Sequence, residues 1–261
     1  MYTILIFAGL GLFAGVLLTV FSKLFEVKTD ERVEAVTAVL PGINCGACGY
    51  AGCSDYAEAA VAGEGKVPVN LCKPGGQEAA DDVGKILGIE AGTVVPMTAI
   101  VHCSGDRTAT SNKFNYRGIQ SCKAANSFYN GSESCSYGCL AFGDCVNVCP
   151  ERAISIVDGL AKIDRLRCVG CGICTRECPN RLIALRPLGF DYDVLCSSYD
   201  AGKIVRGSCK AGCIGCRLCE KACPSGAIKV NDNLARIDYE KCTSCGLCAE
   251  KCPAKVIKKC G

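Results

Sequence analysis

The chain opens with an uncharged apolar run that covers residues 3–21. As a helix rising 1.5 Å per residue, this run would be about 28 Å long, close to the roughly 30 Å hydrocarbon core of a bilayer. Its flanks lack the basic start and the small-residue cleavage site of a signal peptide, so the pattern predicts an uncleaved transmembrane anchor. Lys23, Lys28 and Arg32 follow the run, and the positive-inside rule then predicts a single-pass protein of the inner (plasma) membrane with its bulk on the cytoplasmic side.

Short apolar groups with frequent turn residues fill the rest of the chain. They predict small helices near residues 55–63 and 77–87, and later two hairpins whose short strands flank Asp, Gly and Asn turns. The expected fold class is α+β. The expected organisation is a transmembrane anchor over 1–22, a juxtamembrane linker over 23–40, a small helical domain over 41–90, a connecting segment over 91–130, and two tandem modules over 131–187 and 188–261.

Cysteine changes this picture most, because 25 of the 261 residues are cysteines. Three runs have the spacing C-x2-C-x2-C-x3-C-P, which is the bacterial ferredoxin pattern for [4Fe–4S] clusters. In that pattern three thiolates wrap one cluster and the fourth cysteine ligates the neighbouring cluster. The three runs span residues 168–179, 213–224 and 242–253.

A fourth pattern, C-x2-C-x4-C-x18-C, lies in the predicted helical domain. Its cysteines are separated by glycines that let the backbone approach a cluster closely. We expect one [4Fe–4S] cluster here, with Cys45, Cys48, Cys53 and Cys72 as ligands.

The C-terminal half repeats itself with an offset of 74 residues. Phe142 breaks the repeat, since its counterpart is Cys216, so the first copy is expected to use Cys135 in place of the missing thiol. Exchange of fourth ligands then predicts four clusters, making about five [4Fe–4S] clusters with the N-terminal one. The expected ligand sets are Cys135, Cys139 and Cys145 with Cys178; Cys168, Cys171 and Cys174 with Cys149; Cys213, Cys216 and Cys219 with Cys252; and Cys242, Cys245 and Cys248 with Cys223.

Five cysteines remain outside these sets. Buried thiols of this kind are more often structural than ligating, although Cys122 and Cys196 are equivalent in the repeat and keep a sixth metal site open. Cys209 is left as a spare beside Cys216, and the choice between those two ligands stays open. The five are Cys103, Cys122, Cys196, Cys209 and Cys260.

Zinc and disulfides are the rival interpretations of a cysteine-rich chain. Zinc favours separated C-x2-C pairs or cysteine with histidine, whereas this chain has one histidine and closely following third and fourth cysteines. Disulfide frameworks belong to short secreted chains, and a reducing cytoplasm keeps thiols free. Both interpretations are therefore disfavoured.

Charge is unevenly distributed along the chain. Residues 1–100 carry a net charge of −5, residues 101–199 of +2, and residues 200–261 of +6. A basic C-terminal module suits an acidic protein partner. Nucleic acid is not expected as a partner, because the basic residues are interleaved with cluster loops and no recognition motif is present.

The order of these motifs resembles the B subunit of the Rnf complex. The resemblance rests on the apolar run, the four N-terminal cysteines, the segment YGCLAFGDCVNVCP over 137–150 and the tandem ferredoxin motifs, and it covers nearly the whole chain. It implies a subunit of a ferredoxin:NAD oxidoreductase that moves Na⁺ or H⁺, with reduced ferredoxin as electron donor. Shorter relatives that serve an oxidative-stress regulator usually carry one ferredoxin module, whereas this chain has two.

The chain has no dinucleotide fingerprint, P-loop or catalytic constellation, and His102 is expected to be structural. Flavin and NAD sites, like the ion path, are therefore expected on partner subunits in the membrane complex. Two alternatives stay open: a polyferredoxin arm of another membrane oxidoreductase or hydrogenase, and a membrane-anchored redox sensor or cluster carrier.

Overall fold

The computed structural model describes residues 2–24 and 30–260, with side chains described at residues 2, 7, 9–23 and 30–260. The helices of these residues are α1 (Tyr2–Leu24), α2 (Glu31–Val39), α3 (Cys53–Ala62), α4 (Gly76–Leu87), α5 (Cys122–Asn126), α6 (Asp144–Asn147), α7 (Ile173–Glu177), α8 (Gly202–Ser208), α9 (Leu218–Ala222) and α10 (Leu247–Glu250). The strands are β1 (Met97–Val101), β2 (Ile154–Val157), β3 (Leu160–Ile163), β4 (Ile183–Pro187), β5 (Tyr192–Val194), β6 (Ile228–Asn231), β7 (Leu234–Ile237) and β8 (Ile257–Lys259).

Helix α1 contains the apolar run and continues a few residues beyond it. Among the residues that are described, no helix combines the length and apolarity that a membrane span needs. The membrane anchor therefore stays a prediction. Lys28, one of the basic residues used to orient it, lies outside the described residues.

Helices α2, α3 and α4 form the N-terminal domain. Their apolar faces meet around Val36, Tyr56 and Val83, each at most 1 % exposed. Helices α3 and α4 lie where the sequence predicts helices, and α4 ends at Gly88, whose φ of 68° is in the left-handed region that glycine adopts readily. Helix α2 lies within the stretch predicted as a linker, but its burial of Val36 makes it part of this domain.

Two pairs of antiparallel strands build each ferredoxin-like module. In the first module, β2 and β3 form the predicted hairpin. Asp158 and Gly159 both have positive φ, which a two-residue type I′ turn requires at its two central positions. The outer pair joins β1 to β4, with Met97 opposite Pro187. Strand β1 lies in the segment predicted to be a connector, so a module boundary at residue 131 leaves out one of the four strands.

The second module repeats this arrangement. Strands β6 and β7 form its hairpin around Asp232 and Asn233, and β5 pairs with β8. Its core contains Ile228, Leu234 and Val256 together with cysteines of the ferredoxin runs. The cysteines are thus part of the core of each module, as a domain with few bulky apolar residues requires.

A buried ion pair connects the two modules. Arg186 on β4 lies 2.8 Å from Asp193 on β5, with Nε facing Oδ2, and both side chains are almost completely buried. Arg186 also donates to the carbonyls of Phe190 and Cys260, while the Tyr239 hydroxyl donates to Asp193. The two Nη atoms of Arg186 and Oδ1 of Asp193 therefore have hydrogen-bond partners, while Nε and Oδ2 face each other as the ion pair.

Removing the arginine should strongly destabilise the protein. We expect Arg186→Met to lower the free energy of unfolding by about 3–5 kcal/mol, because it leaves the Asp193 carboxylate buried without a cation. Anaerobic chemical denaturation followed by cluster absorbance measures this. Arg167 is exposed, and Arg167→Met should change stability by no more than about 0.5 kcal/mol; equal losses in both variants would refute the importance of the pair.

Candidate iron–sulfur centres

The N-terminal cysteines come together at the start of α3. Cys53 is the first residue of that helix, and its N–H donates to Asn44 Oδ1 at 2.8 Å, which folds the preceding loop back on itself. Burial raises the pKa of the Cys72 thiol, and the nearby Cys53, Cys45 and Cys48 thiolates raise it further. A Cβ on Gly75 would lie 3.2 Å from Cys72 Sγ, so the backbone leaves room beside this sulfur. The structure thus gathers all four predicted cysteines.

A second group combines Cys168, Cys171 and Cys174 with Cys149. Burial raises the pKa of Cys174 to about 12, with added effects from Cys171, Cys168 and Cys149. The N–H of Ala153 donates to Cys149 Sγ at 3.3 Å, and the N–H of Ala99 on β1 donates to Cys168 Sγ at 3.4 Å. Such N–H donors favour thiolates and tune the potential of a cluster bound there. The placement of Cys149 agrees with the predicted exchange of fourth ligands.

The third group differs from the sequence-based assignment. A cavity of about 400 Å³ is lined by Cys139, Cys145 and Cys178, as expected, but its fourth cysteine is Cys122. Cys135, which was expected here, lines a different cavity. At this cavity, a cysteine of the preceding helix α5 lies where the sequence-based assignment has Cys135.

Local hydrogen bonds explain how Cys122 reaches this cavity. The Asp144 carboxylate, at the start of α6, accepts from the N–H groups of Cys122 at 2.9 Å and Lys123 at 3.1 Å, and from the Ser121 hydroxyl. Burial alone would raise the pKa of Asp144, but these donors bring it below its ordinary value. A charged carboxylate thus fixes the N-terminus of α5 beside Cys145.

The second module has two cavities that match the predicted sets. The first cavity, of about 320 Å³, is lined by Cys213, Cys216, Cys219 and Cys252. The second cavity, of about 340 Å³, is lined by Cys223, Cys242, Cys245 and Cys248. Cys216, not Cys209, lies with its run, as the usual ferredoxin spacing indicates.

The chemistry of these groups fits a cubane cluster. All 25 cysteines are free thiols. Among the described residues, no three potential ligands are gathered as a site for a single metal ion. In a cubane each thiolate binds a different iron, so the four sulfurs must surround a cavity instead of converging on one point. The raised thiol pKa values mean that cluster binding would release protons and contribute to folding.

His102 has a structural position. Its Nδ1 lies 2.8 Å from the Val194 carbonyl oxygen, so Nδ1 carries the hydrogen and donates it across the module boundary. Burial lowers the pKa of His102. The ring links the end of β1 in the first module to β5 in the second.

Sequence reasoning missed Cys122, although the sequence contains one signal for it. Once Phe142 removes a ligand from the first copy, any repeated cysteine without a partner becomes a candidate. Cys122 and Cys135 both have equivalents in the second copy, at Cys196 and Cys209. Spacing favours Cys135, because it is nearer in sequence to the rest of the set. Only the fold of α5 separates the two.

Tandem ferredoxin-like modules around four-cysteine groups define a multi-cluster iron–sulfur electron carrier. Three family models agree with this class: a putative Fe-S cluster over residues 40–74, a 4Fe-4S binding domain over 161–184 and a 4Fe-4S dicluster domain over 212–256. They match the N-terminal domain, the second half of the first module and most of the second module.

Curated relatives specify the family. The B subunit of the Na⁺-translocating ferredoxin:NAD⁺ oxidoreductase complex of Acetobacterium woodii is 43 % identical over 89 % of this chain and 69 % of its own length. The B subunit of an ion-translocating oxidoreductase complex of Methanosarcina acetivorans is 41 % identical, over 92 % and 90 %. The B subunit of the proton-translocating ferredoxin:NAD⁺ oxidoreductase complex of Clostridium ljungdahlii is 45 % identical, over 89 % and 82 %. The chain belongs to the family of ion-translocating oxidoreductase complex B subunits, which confirms the resemblance to the Rnf family.

Proposed function

We propose that this chain accepts electrons from reduced ferredoxin and relays them to partner subunits of an Rnf-type ferredoxin:NAD oxidoreductase that couples the reaction to ion transport. The observation that carries the proposal is the arrangement of four-cysteine groups along a fold of two ferredoxin-like modules. The relatives named above support it, since two of them are subunits of ferredoxin:NAD⁺ oxidoreductase complexes.

Five [4Fe–4S] clusters would be held by the five groups described so far. Each bound cluster supplies one-electron transfer, and the protein holds it through four thiolates and nearby N–H donors. The ligand sets follow the sequence-based assignment, with Cys122 replacing Cys135. They are Cys45, Cys48, Cys53 and Cys72; Cys149, Cys168, Cys171 and Cys174; Cys122, Cys139, Cys145 and Cys178; Cys213, Cys216, Cys219 and Cys252; and Cys223, Cys242, Cys245 and Cys248.

Ferredoxin is proposed to dock on the second module. Cys216 and Cys245 are exposed in that module, so a cluster bound by either reaches the surface. Lys210, Arg217 and Lys221 are exposed in the same module, and Arg217 follows Cys216 directly in the sequence. Acidic ferredoxins would be steered toward these basic residues.

Electrons would leave through the N-terminal domain. The Arg176 guanidinium, on α7 of the first module, donates to the Cys45 carbonyl at 2.6 Å. Burial raises the pKa of the Cys171 thiol, and the nearby Cys45 thiolate raises it further. The N-terminal group therefore lies beside the Cys168–Cys174 group, and it is the cysteine group nearest to α1 in the sequence.

Helix α1 is proposed to anchor the chain in the inner membrane, with the modules on the cytoplasmic side. The supporting observation is that the uncharged run of residues 3–21 is helical throughout. NAD and flavin sites and the ion path would lie on partner subunits. Relatives of nearly equal similarity are described as Na⁺-translocating and as proton-translocating.

Anaerobic mixing with reduced ferredoxin tests the proposed function. We expect the purified chain to bleach in its cluster absorbance as ferredoxin is reoxidised, and to pass electrons on when the partner subunits are added. A hydrogenase or dehydrogenase arm would be reduced by that enzyme instead, and a sensor or carrier would not turn over with the complex. Failure of ferredoxin to reduce the chain, with its clusters intact, would refute the proposal.

A further inference from the structure

We propose that Cys103, Cys135, Cys196 and Cys209 hold a sixth [4Fe–4S] cluster, which joins the two ferredoxin-like modules into one electron path. The role in electron relay rests on the proposed function. The metal site does not, because it follows from the geometry of these four thiols alone.

The four cysteines line one partly open cavity, whose space including the part open to solvent is about 290 Å³. Counted in the same way, the two four-cysteine cavities of the second module have about 320 and 340 Å³. Structural thiols in a core are normally packed against their neighbours without a cavity between them. Four thiols around an open space of this size match the arrangement of the other groups.

The backbone is shaped to leave space beside the sulfurs. A Cβ on Gly105 would lie 3.2 Å from Cys209 Sγ and 3.7 Å from Cys103 Sγ, so a side chain at this position would enter the cavity. The φ of Gly105 is not in the left-handed region, and backbone conformation therefore does not require glycine here. The glycine is explained by the space that it leaves.

Hydrogen-bond donors are directed at the same sulfurs. The N–H of Cys213 donates to Cys196 Sγ at 3.3 Å. The backbone N–H groups of Gly105 and Cys139 are directed at the Cys103 thiol. Donors of this kind stabilise thiolates that are bound to iron.

Each module contributes two ligands. Cys103 follows β1 and Cys135 precedes the first-copy run, whereas Cys196 follows β5 and Cys209 follows α8. The surrounding backbone is fixed across the boundary, with Ser104 Oγ donating to the Leu195 and Ala211 carbonyls and the N–H of Lys210 donating to the Ala109 carbonyl. The site is therefore assembled by the docking of the two modules, and neither module contains it alone.

The position of the site makes it a connection. Gly138 lines both this cavity and the cavity of Cys122, Cys139, Cys145 and Cys178. On the other side, Cys196 accepts from the N–H of Cys213, a ligand of the second module. Electron tunnelling decays steeply with distance, so a cluster placed between these two neighbours would carry electrons from one module to the other.

Metal analysis of the anaerobically purified full chain tests the site. Six clusters predict about 24 irons and 24 acid-labile sulfides per chain, against about 20 for five clusters. Cys209→Ser and Gly105→Val should each lower the iron content by about four per chain. Gly105→Val keeps all four thiols and fills the space beside two of them. Cys260→Ser is the matched control, because Cys260 lines none of the four-cysteine cavities, and it should leave the iron content unchanged.

Ferredoxin reduction gives the second readout. In Cys209→Ser and Gly105→Val, we expect reduced ferredoxin to reduce rapidly only the clusters of the second module, on which it is proposed to dock. Dithionite should still reduce all of the clusters that remain in each variant. A wild-type content of about 20 irons that neither variant lowers would overturn the site. If both variants lose iron but ferredoxin does not reduce the wild type, the sixth cluster is supported and the proposed function is refuted.

Discussion

Cys122→Ser is expected to remove one whole cluster from the first module. The variant should lose about four irons per chain, because a cubane requires a ligand at each corner and Phe142 provides none. Since that cluster would lie between the N-terminal group and the second module, we expect electron transfer from ferredoxin to the partner subunits to fall to the background rate. Iron and sulfide analysis and steady-state turnover of the reconstituted complex measure the two effects.

The control for this experiment separates a ligand from a nearby thiol. Cys260→Ser should retain full iron content and turnover, because Cys260 lies outside the repeat and near β8. If Cys122→Ser also keeps its iron, the alternative assignment with Cys135 as fourth ligand of Cys139, Cys145 and Cys178 is correct. Turnover at the normal rate without the cluster would instead place this cluster outside the electron path.

Reversing the basic surface of the second module is expected to slow reduction by ferredoxin. We expect the combined substitution of Lys210, Arg217 and Lys221 by Glu to lower the rate by roughly tenfold or more at low ionic strength, since electrostatic steering contributes about 10- to 1,000-fold to association. The salt dependence should flatten as well, because salt already screens charges beyond roughly 8–10 Å at physiological ionic strength. Stopped-flow absorbance over a range of salt concentrations measures both.

Two comparisons show whether docking is the step affected. Dithionite needs no protein docking surface, so its rate with the triple variant should be nearly unchanged. A second triple variant reverses Lys66, Arg117 and Lys162, which are exposed and lie outside the second module. It should react with ferredoxin at the normal rate. If instead this variant is slow and the first is normal, ferredoxin docks on the N-terminal part of the chain.

Most of the metal-binding chemistry could be predicted from the sequence because ferredoxin ligands are local. Three thiolates within seven residues can contact one cluster whatever the rest of the fold does, so spacing alone identifies the runs starting at Cys168, Cys213 and Cys242. The structure places the exchanged ligands beside the predicted neighbours; they are Cys149, Cys178, Cys223 and Cys252. The hairpins were also predictable, since their turns need residues that tolerate positive φ.

Tertiary structure decided the cases in which a ligand comes from a distant segment. Cys122 and Cys135 are both close in sequence to Cys139. The hydrogen bonds from α5 to Asp144 place Cys122 at the cavity of Cys139, whereas Cys135 lines the cavity at the module boundary. Strand β1 was hidden for the same reason, since its partner β4 lies more than 80 residues later. Cys103, Cys135, Cys196 and Cys209 form no ferredoxin run, although Cys135 and Cys209 are equivalent in the repeat. Their proximity depends on the docking of one module against the other, through Arg186, Asp193 and His102, and sequence spacing carries no information on contacts made at that distance.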